Sequence, residues 1–401
     1  MRLLSIETSC DESAISLVEI DKAQDNFSVL ADITISQIET HIPYGGVFPA
    51  LAKREHAKNL PIIFREISTR YPEETIQLDD EKKRALEEIL QREKGLGETL
   101  LSMFSERGFT FPHIDAVAVT NGPGLSPALW TGVNFARAIS LLTGAPIYPT
   151  NHMEGHISSI LLKENYLKEE QALFPLDSFS FPMLALLISG GHTQLVLVKG
   201  WNNYFLIGET LDDAVGEAFD KVARMLGMEY PGGPKISARA KEGRVNEEVS
   251  FPRPMIHSDD YRFSFSGLKT AVRYLIENLK EKYGELSDQL IADIAFEFEE
   301  SVTEVLVKKT QKAIEAFSAR GLIIAGGVSA NERIVSAFQE LTQEEGIELF
   351  TPQRFLCGDN ALMIATSAFL KIRDGEKGFP AGSHVEVNAN AGFPPFSLPH
   401  S

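Results

Sequence analysis

An α/β fold with a duplicated core in two lobes is predicted by three observations. Residues 2–20, "RLLSIETSCDESAISLVEI", read as strand, small polar turn, strand. Residues 183–199, "MLALLISGGHTQLVLVK", repeat that plan, with an apolar strand, a Ser-Gly-Gly turn and a β-branched strand. Between and after the two hairpins, strand-like and helix-like stretches alternate, as layered α/β folds require.

The elements follow in chain order. "HIDAVAVTNGPG" and "APIYPTN" are strand-like and flank a helix over roughly 126–143. Residues 73–108 are different: they are highly charged around a narrow apolar stripe, Leu86, Ile89 and Leu90. That pattern predicts an inserted surface helix or helical pair, either a solvated appendage or a docking element. In the second half, "DQLIADIAFEFEESVTEVLVKKTQKAIEAF" has apolar i, i+3, i+4 spacing and predicts one long helix. The strand "GLIIAGG" follows, and a helix opens at "SANERIVSAF". From Phe379 the composition turns to Pro, Gly and Asn, which predicts a poorly ordered tail over 379–401.

Composition narrows the function classes. A chain of 401 residues with 43% hydrophobic content can bury a large core. Cys10 and Cys357 are its two cysteines, which excludes a disulfide framework or a Cys-rich zinc site and suits a reducing cytoplasm. The N-terminus fits neither a signal peptide nor an organelle presequence, and no apolar run is long enough to span a membrane. The net charge of −18 opposes a broad basic face, so any nucleic-acid contact needs a local patch or a partner's charge.

Three sets of residues carry chemistry. "NHMEGH" places His152 and His156 at i and i+4, about 40° apart around a helix that Asn151 can N-cap. Two imidazoles so placed can share a metal or stand as ordinary surface groups. A metalloprotease would need Glu beside the first His, whereas Glu154 lies about 200° round the helix and suits a capping box. The glycine pairs in "ISGGHTQ", "YPGGP" and "AGGVSAN" are tight turns or sites where backbone N–H groups approach an anion. None matches a P-loop or a dinucleotide-binding fingerprint, yet three in one lobe favour a bound nucleotide. Asp213, Glu217 and Asp220 fall at i, i+4 and i+7 of the helix read over 209–227, a solvated acidic face or, at Asp220, a ribose contact. Asp359 precedes the apolar helix "ALMIATSAFL" and is an N-cap or a third, oxygen ligand.

Taken together, "IETSCDES", "YGGVFPALAKREH", "GPGL", "NHMEGH", "LLISGGHTQL", "DDAVGEAFDKVARMLGMEYPGGP", "FPRPM", "FSFSGLKTAV", "AGGVSAN" and "GDNALMIA" resemble, in family order over residues 1–372, the tRNA threonylcarbamoyladenosine transferase family (TsaD). That family was once misnamed O-sialoglycoprotein endopeptidase. The resemblance implies a two-lobed actin-like, sugar-kinase-like ATPase fold. It implies a first lobe over 1–150, a second over 151–350, and a C-terminal helix over 351–378 returning to the first. His152, His156 and Asp359 are implied to hold one divalent metal per subunit, iron(II) ahead of zinc. Leu187, Ile188, Ser189, Gly190, Gly191, Asp220, Gly233 and Asn331 are implied to contact threonylcarbamoyl-adenylate. The implied reaction is transfer of the L-threonylcarbamoyl group to the exocyclic amine of the adenosine adjacent to the anticodon, in tRNAs reading ANN codons. AMP is released. Asp11 and Glu12 are candidate active-site carboxylates. The implied setting is the cytoplasm, with tRNA, the bacterial-type paralogue TsaB and the ATPase TsaE as partners and no membrane. The sequence departs from the family pattern at Gly358, where Thr is usual, and at Ala50, where Glu is frequent. The competing readings are a metalloprotease, disfavoured by Glu154, and a non-catalytic actin-like scaffold, which would leave the His pair unexplained.

Overall fold

Short runs buried on both faces drive the first hairpin, β1 (Arg2–Glu7) against β2 (Glu12–Asp21), antiparallel from Arg2↔Glu19 to Glu7↔Ala14. In the computed structural model, which describes residues 1–396, β3 (Asn26–Ser36) extends this sheet on the β2 side. The chain then runs through α1 (Ile38–His41), α2 (Pro49–Arg70), α3 (Asp80–Ile89) and α4 (Lys94–Ser105). Strand β4 (Ala116–Gly122) returns parallel to β1; α5 (Ser126–Thr143) leads to β5 (Ile147–Asn151), which pairs parallel with β4. The sheet order is β3-β2-β1-β4-β5. Helix α6 (His152–Ser158) starts directly from β5.

The second sheet repeats that order. Strands β6 (Met183–Ile188), β7 (Thr193–Gly200) and β8 (Asn203–Glu209) form an antiparallel meander. Helices α7 (Val215–Met225), α8 (Gly232–Ala240), α9 (Ser266–Tyr283) and α10 (Asp288–Phe317) follow. Strand β9 (Gly321–Ala325) then joins β6 in parallel, and α11 (Glu332–Glu345) leads to β10 (Glu348–Phe350) on its far side. Read from the third strand of each copy, both sheets run third, second, first, fourth, fifth. This repeated topology is the duplicated core of the actin-like ATPase fold. The last helix, α12 (Ala361–Arg373), packs on the first sheet.

The chain separates into two compact units: Met1–Phe179 with Asp359–Gly392, and Ser180–Gly358 with the residues from Phe393. The first division falls at residue 179, beyond the 150 read from sequence. Segment 159–179 is stitched to β3: Ala172 N donates to Phe27 O at 2.8 Å, and Asn26 Nδ2 to Leu173 O at 3.0 Å. Helix α6 therefore stays with the first unit. Its Gly155 lies so close to α12 that a Cβ would stand 3.1 Å from Ile364 Cδ1 and Met363 Cγ.

Three further differences from the sequence reading have clear causes. The charged 73–108 segment is a helical pair, but not a solvated appendage. Leu86, Leu90, Leu96, Leu100, Met103 and Phe104 are buried in the first unit's core, with Phe104 against Phe64. Helix α7 begins at Val215, not 209, because Asp212 and Asp213 are drawn into other contacts. Asp212 accepts bonds from the N–H groups of Phe265 and Ser266, while Asp213 pairs with Lys221 and Lys269. The tail is tied down as far as Phe396, since irregular backbone still hydrogen-bonds and its apolar residues find cores. Val385 is buried in the first unit, and Asn388 N donates to Asn121 O at 2.8 Å. Phe396 packs on the second unit's core. The remainder of that expectation, 397–401, lies outside the described residues.

Candidate metal centre and nucleotide turns

In the first unit, His152, His156 and Asp359 converge, one ligand atom from each lying within 4.8 Å of the others. Local sequence explains the placement. Asn151 caps α6, accepting from Met153 N at 2.8 Å and Glu154 N at 3.3 Å, and the i, i+4 spacing turns both imidazoles to one face. Asp359 arrives because α12 is anchored against the sheet, Ser5 Oγ donating to Ala361 O at 2.8 Å. The cap of α12 is Asn360, whose Oδ1 accepts from Met363 N at 2.9 Å. That frees the preceding position from the capping role the sequence left open. Asp359 Oδ1 stands 3.2 Å from His156 Nε2 and 3.4 Å from His152 Nε2.

The donor set fits a divalent cation. His156 is 1% exposed, and neither of its ring nitrogens has a hydrogen-bond partner among the described residues. A cation at Nε2, the nitrogen that faces Asp359 at 3.2 Å, would satisfy that atom; a buried polar atom left without a partner costs about 1–3 kcal/mol. Two imidazole nitrogens and a carboxylate oxygen are the borderline donors that iron(II) and zinc accept. His152 is held from behind: its Nδ1 is 3.2 Å from Glu7 Oε2 and 3.1 Å from Ser9 Oγ. Burial disfavours its charged form, but the Asp359 and Glu7 carboxylates prevail and push it up to about 9.

Asp11 and Glu12 open β2 in the same unit. Asp11 is buried. Burial, with Asp359, Asp11 and Glu7 nearby, drives Glu12 well above the usual carboxylate range, and burial beside Asp11, Asp359 and Glu12 raises the Cys10 thiol. Beneath this turn lies a histidine that the sequence did not single out. His56 bridges Ser13 Oγ at 2.8 Å and the Cys10 carbonyl at 3.0 Å, and burial lowers it to about 4, so it is a neutral strut. Glu154 makes no box with Asn151; its Oε2 pairs with Lys371 at 3.0 Å.

In the second unit, the predicted nucleotide residues cluster around the ends of β6 and β9. Leu187 and Ile188 end β6, and Ser189, Gly190 and Gly191 make the turn to β7. Gly326 and Gly216 crowd this turn: a Cβ would lie 2.5 Å from Ile188 O at the first and 2.7 Å from Ser189 O at the second. Asp220 Oδ1 accepts from Gly232 N at 2.7 Å and also bonds the Gly233 amide; burial still raises its carboxyl. The acidic stripe is thus divided, Glu217 pairing with Lys221 while Asp220 holds the α8 N-terminus. Asn331 caps α11 through Ile334 N at 3.0 Å and donates to Glu299 at 2.8 Å and Ser237 at 2.9 Å. Glu299 and Ser237 escaped the sequence reading, because their pattern is that of any half-buried helix face. A Cβ at Gly358 meets nothing within 4 Å, and Ala50 is exposed, so neither departure disturbs a packed position.

Residues 28–77 and 91–366 match the family model for TsaD, tRNA N6-adenosine threonylcarbamoyltransferase. The unmatched stretch between them contains α3. The chain is 39% identical over 392 residues to the tRNA N6-adenosine threonylcarbamoyltransferase of Bacillus cereus, covering 98% of this chain and 96% of that one. It is 37% identical over 394 residues to the enzyme of the same name from Thermodesulfovibrio yellowstonii, covering 98% and 100%. Among solved structures it is similar to the activator of the 2-hydroxyisocaproyl-CoA dehydratase from Clostridium difficile with bound ADPNP. That match has a TM-score of 0.41 and 14% identity, and covers 93% of this chain and 95% of that one. The chain belongs to the tRNA N6-adenosine threonylcarbamoyltransferase (TsaD) family.

Proposed function

We propose that the family's reaction is served in this chain by a cation held at His152, His156 and Asp359 and by an adenylate held at the turns of the second unit. The reaction moves an L-threonylcarbamoyl group from its adenylate to the exocyclic amine of the adenosine adjacent to the anticodon, in tRNAs reading ANN codons. AMP leaves. A mixed carboxylic–phosphoric anhydride is already activated, so the protein's tasks are orientation and stabilisation of the departing phosphate. A bound iron(II) or zinc would supply Lewis acidity and a template for the reacting groups.

The chain's own groups take defined parts. Gly190 and Gly191 offer turn amides toward a phosphate with no side chain in the way, while Ser189 closes the turn, its N–H donating to His192 O at 2.9 Å. Asp220, held by the Gly232 and Gly233 amides at the start of α8, offers a carboxylate for the ribose, with Gly233 beside it. Asn331 is oriented by Glu299 and Ser237. Asp11 and Glu12 remain the candidates to accept the proton from the amine. tRNA is the macromolecular substrate, and the accessory proteins TsaB and TsaE belong to this reading, as does a cytoplasmic setting. Among the described residues no helix is long and apolar enough to cross a membrane.

The observation that carries the reading is the approach of His152, His156 and Asp359 to within 4.8 Å, with Nε2 of both buried histidines turned to the same Asp359 oxygen. It also weighs against a protease, since Glu154 is committed to Lys371. The test is a reconstitution with tRNA, threonine, bicarbonate, ATP and the accessory proteins. Appearance of threonylcarbamoyladenosine in ANN-reading tRNA, dependent on this chain, is expected. Its absence when every component is active overturns the reading.

A further inference from the structure

We infer that Glu7 is the positioning residue that sets His152 for cation binding. The inference rests on the cation reading proposed above. Glu7 ends β1 with no exposed surface. An isolated buried carboxylate is costly, so the fold must give it several donors. It has three. Ser9 N donates to Oε1, Thr120 Oγ1 donates to Oε2 at 2.5 Å, and His152 Nδ1 approaches Oε2 at 3.2 Å. The GPG turn holds this pocket shut, since a Cβ on Gly124 would fall 2.7 Å from the Ser9 Cβ.

Ser9 N and Thr120 Oγ1 donate to different oxygens, so both carboxylate oxygens are engaged, and an amide in this place would turn its NH2 toward one of these donors. The oxygen that accepts from Thr120, Oε2, is also the one that faces His152. An ionised carboxylate only accepts hydrogen bonds, so the shared proton sits on Nδ1. The opposite nitrogen, Nε2, lies on the side of Asp359, 3.4 Å away, and is the one placed to exchange its proton for a cation. Tautomer and ring orientation are fixed together, and charge on the acceptor raises the basicity of the ligating nitrogen. Nδ1 of His156 has no such partner among the described residues, so the two histidines are unequal, with His152 the preorganised one. With two neutral imidazoles, Asp359 contributes one negative charge toward a dication and Glu7 a second.

The experiment compares zinc affinity, measured by chelator competition, in wild-type protein and Glu7→Gln, with the melting temperature of each metal-free protein recorded alongside. Outer partners of ligating histidines change metal affinity by about 10–100-fold, and a loss of that size is expected in Glu7→Gln. The cobalt(II)-substituted variant should also show an altered visible spectrum, which a merely structural role would not produce. Ser9→Ala removes the other group near Nδ1 and should leave affinity close to wild type. If Ser9→Ala weakens zinc and Glu7→Gln does not, the positioning role of Glu7 is overturned. Should Glu7→Gln fail to fold, nitrogen NMR of zinc-loaded wild-type protein decides. A proton on Nδ1 of His152 supports the inference, and a metal-bound Nδ1 overturns it. Wild-type protein that takes up no zinc, iron(II) or cobalt(II) would remove the cation reading and this inference together. Tight wild-type binding with an unchanged Glu7→Gln removes this inference alone.

Discussion

Replacing Asp359 by Ala separates a ligand from a helix cap. Asn360 makes the cap of α12, so Asp359→Ala should spare the helix, whereas Asn360→Ala should cost about 1 kcal/mol without touching cation binding. Asp359 Oδ1 lies within 3.4 Å of both imidazole Nε2 atoms, and its loss leaves only two protein donors. A cation bound only by the folded state at 100 times its Kd stabilises by about 2.7 kcal/mol. A roughly hundredfold weaker site at the same concentration retains only about 0.4 kcal/mol. Without cation, Asp359 crowds Glu7 and Glu12 but also pairs with His152, so the metal-free melting temperatures serve as the baseline and the zinc-dependent rise decides. The assay is metal content with paired melting curves, with and without added zinc. An Asp359→Ala protein with full metal content and an undiminished zinc-dependent rise in Tm would refute the ligand assignment.

Asp32, half-buried with one buried oxygen lacking a partner among the described residues, is pushed up to about 6 by desolvation, against an ordinary 3.8, despite the Tyr166 hydroxyl at 2.9 Å. The folded state therefore binds the extra proton, and stability falls as pH rises from 3.8 to about 6. Asp32→Asn should match wild type near pH 4 and exceed it at pH 7, by at most about 3 kcal/mol at 1.36 kcal/mol per unit; denaturant titrations at both pH values check this. The isolated chain, at −18, should bind tRNA weakly at physiological salt, because phosphate contacts dominate such affinity. Tight binding in a filter or gel assay by the lone chain would contradict that. Glu154→Gln breaks a largely buried ion pair with Lys371 and should reduce stability with no effect on cation content. Pure protein should hydrolyse no peptide or glycoprotein substrate, and cleavage abolished by this substitution would revive the protease reading.

Much of this was legible in the sequence because it is periodic or punctuated. The two hairpins, the 30-residue α10 and the Asn151 cap announce themselves through alternation, 3.6-residue spacing and a polar residue before a helix. What stayed hidden depends on distant packing. The charge of 73–108 concealed that α4 carries Leu96, Leu100, Met103 and Phe104 into the core. The Pro, Gly and Asn of the tail gave no periodicity, yet isolated backbone bonds pin it to 396. Glu7 could have been suspected as a carboxylate closing an otherwise apolar strand. Its target, 145 residues away, is set by the β4–β5–α6 crossover, which local pattern does not encode.

The most direct test of the central claim is single-turnover transfer from preformed threonylcarbamoyl-adenylate to tRNA, with metal content measured on the same samples of wild-type and His156→Ala protein. Accessory proteins are present in both. The account predicts about one equivalent of iron or zinc and rapid transfer in wild type. His156→Ala should lack the metal and the transfer but bind AMP as before, since Ser189–Gly191, Asp220, Gly233 and Asn331 all belong to the other unit. A metal-free His156→Ala protein that transfers the threonylcarbamoyl group at the wild-type rate would contradict it.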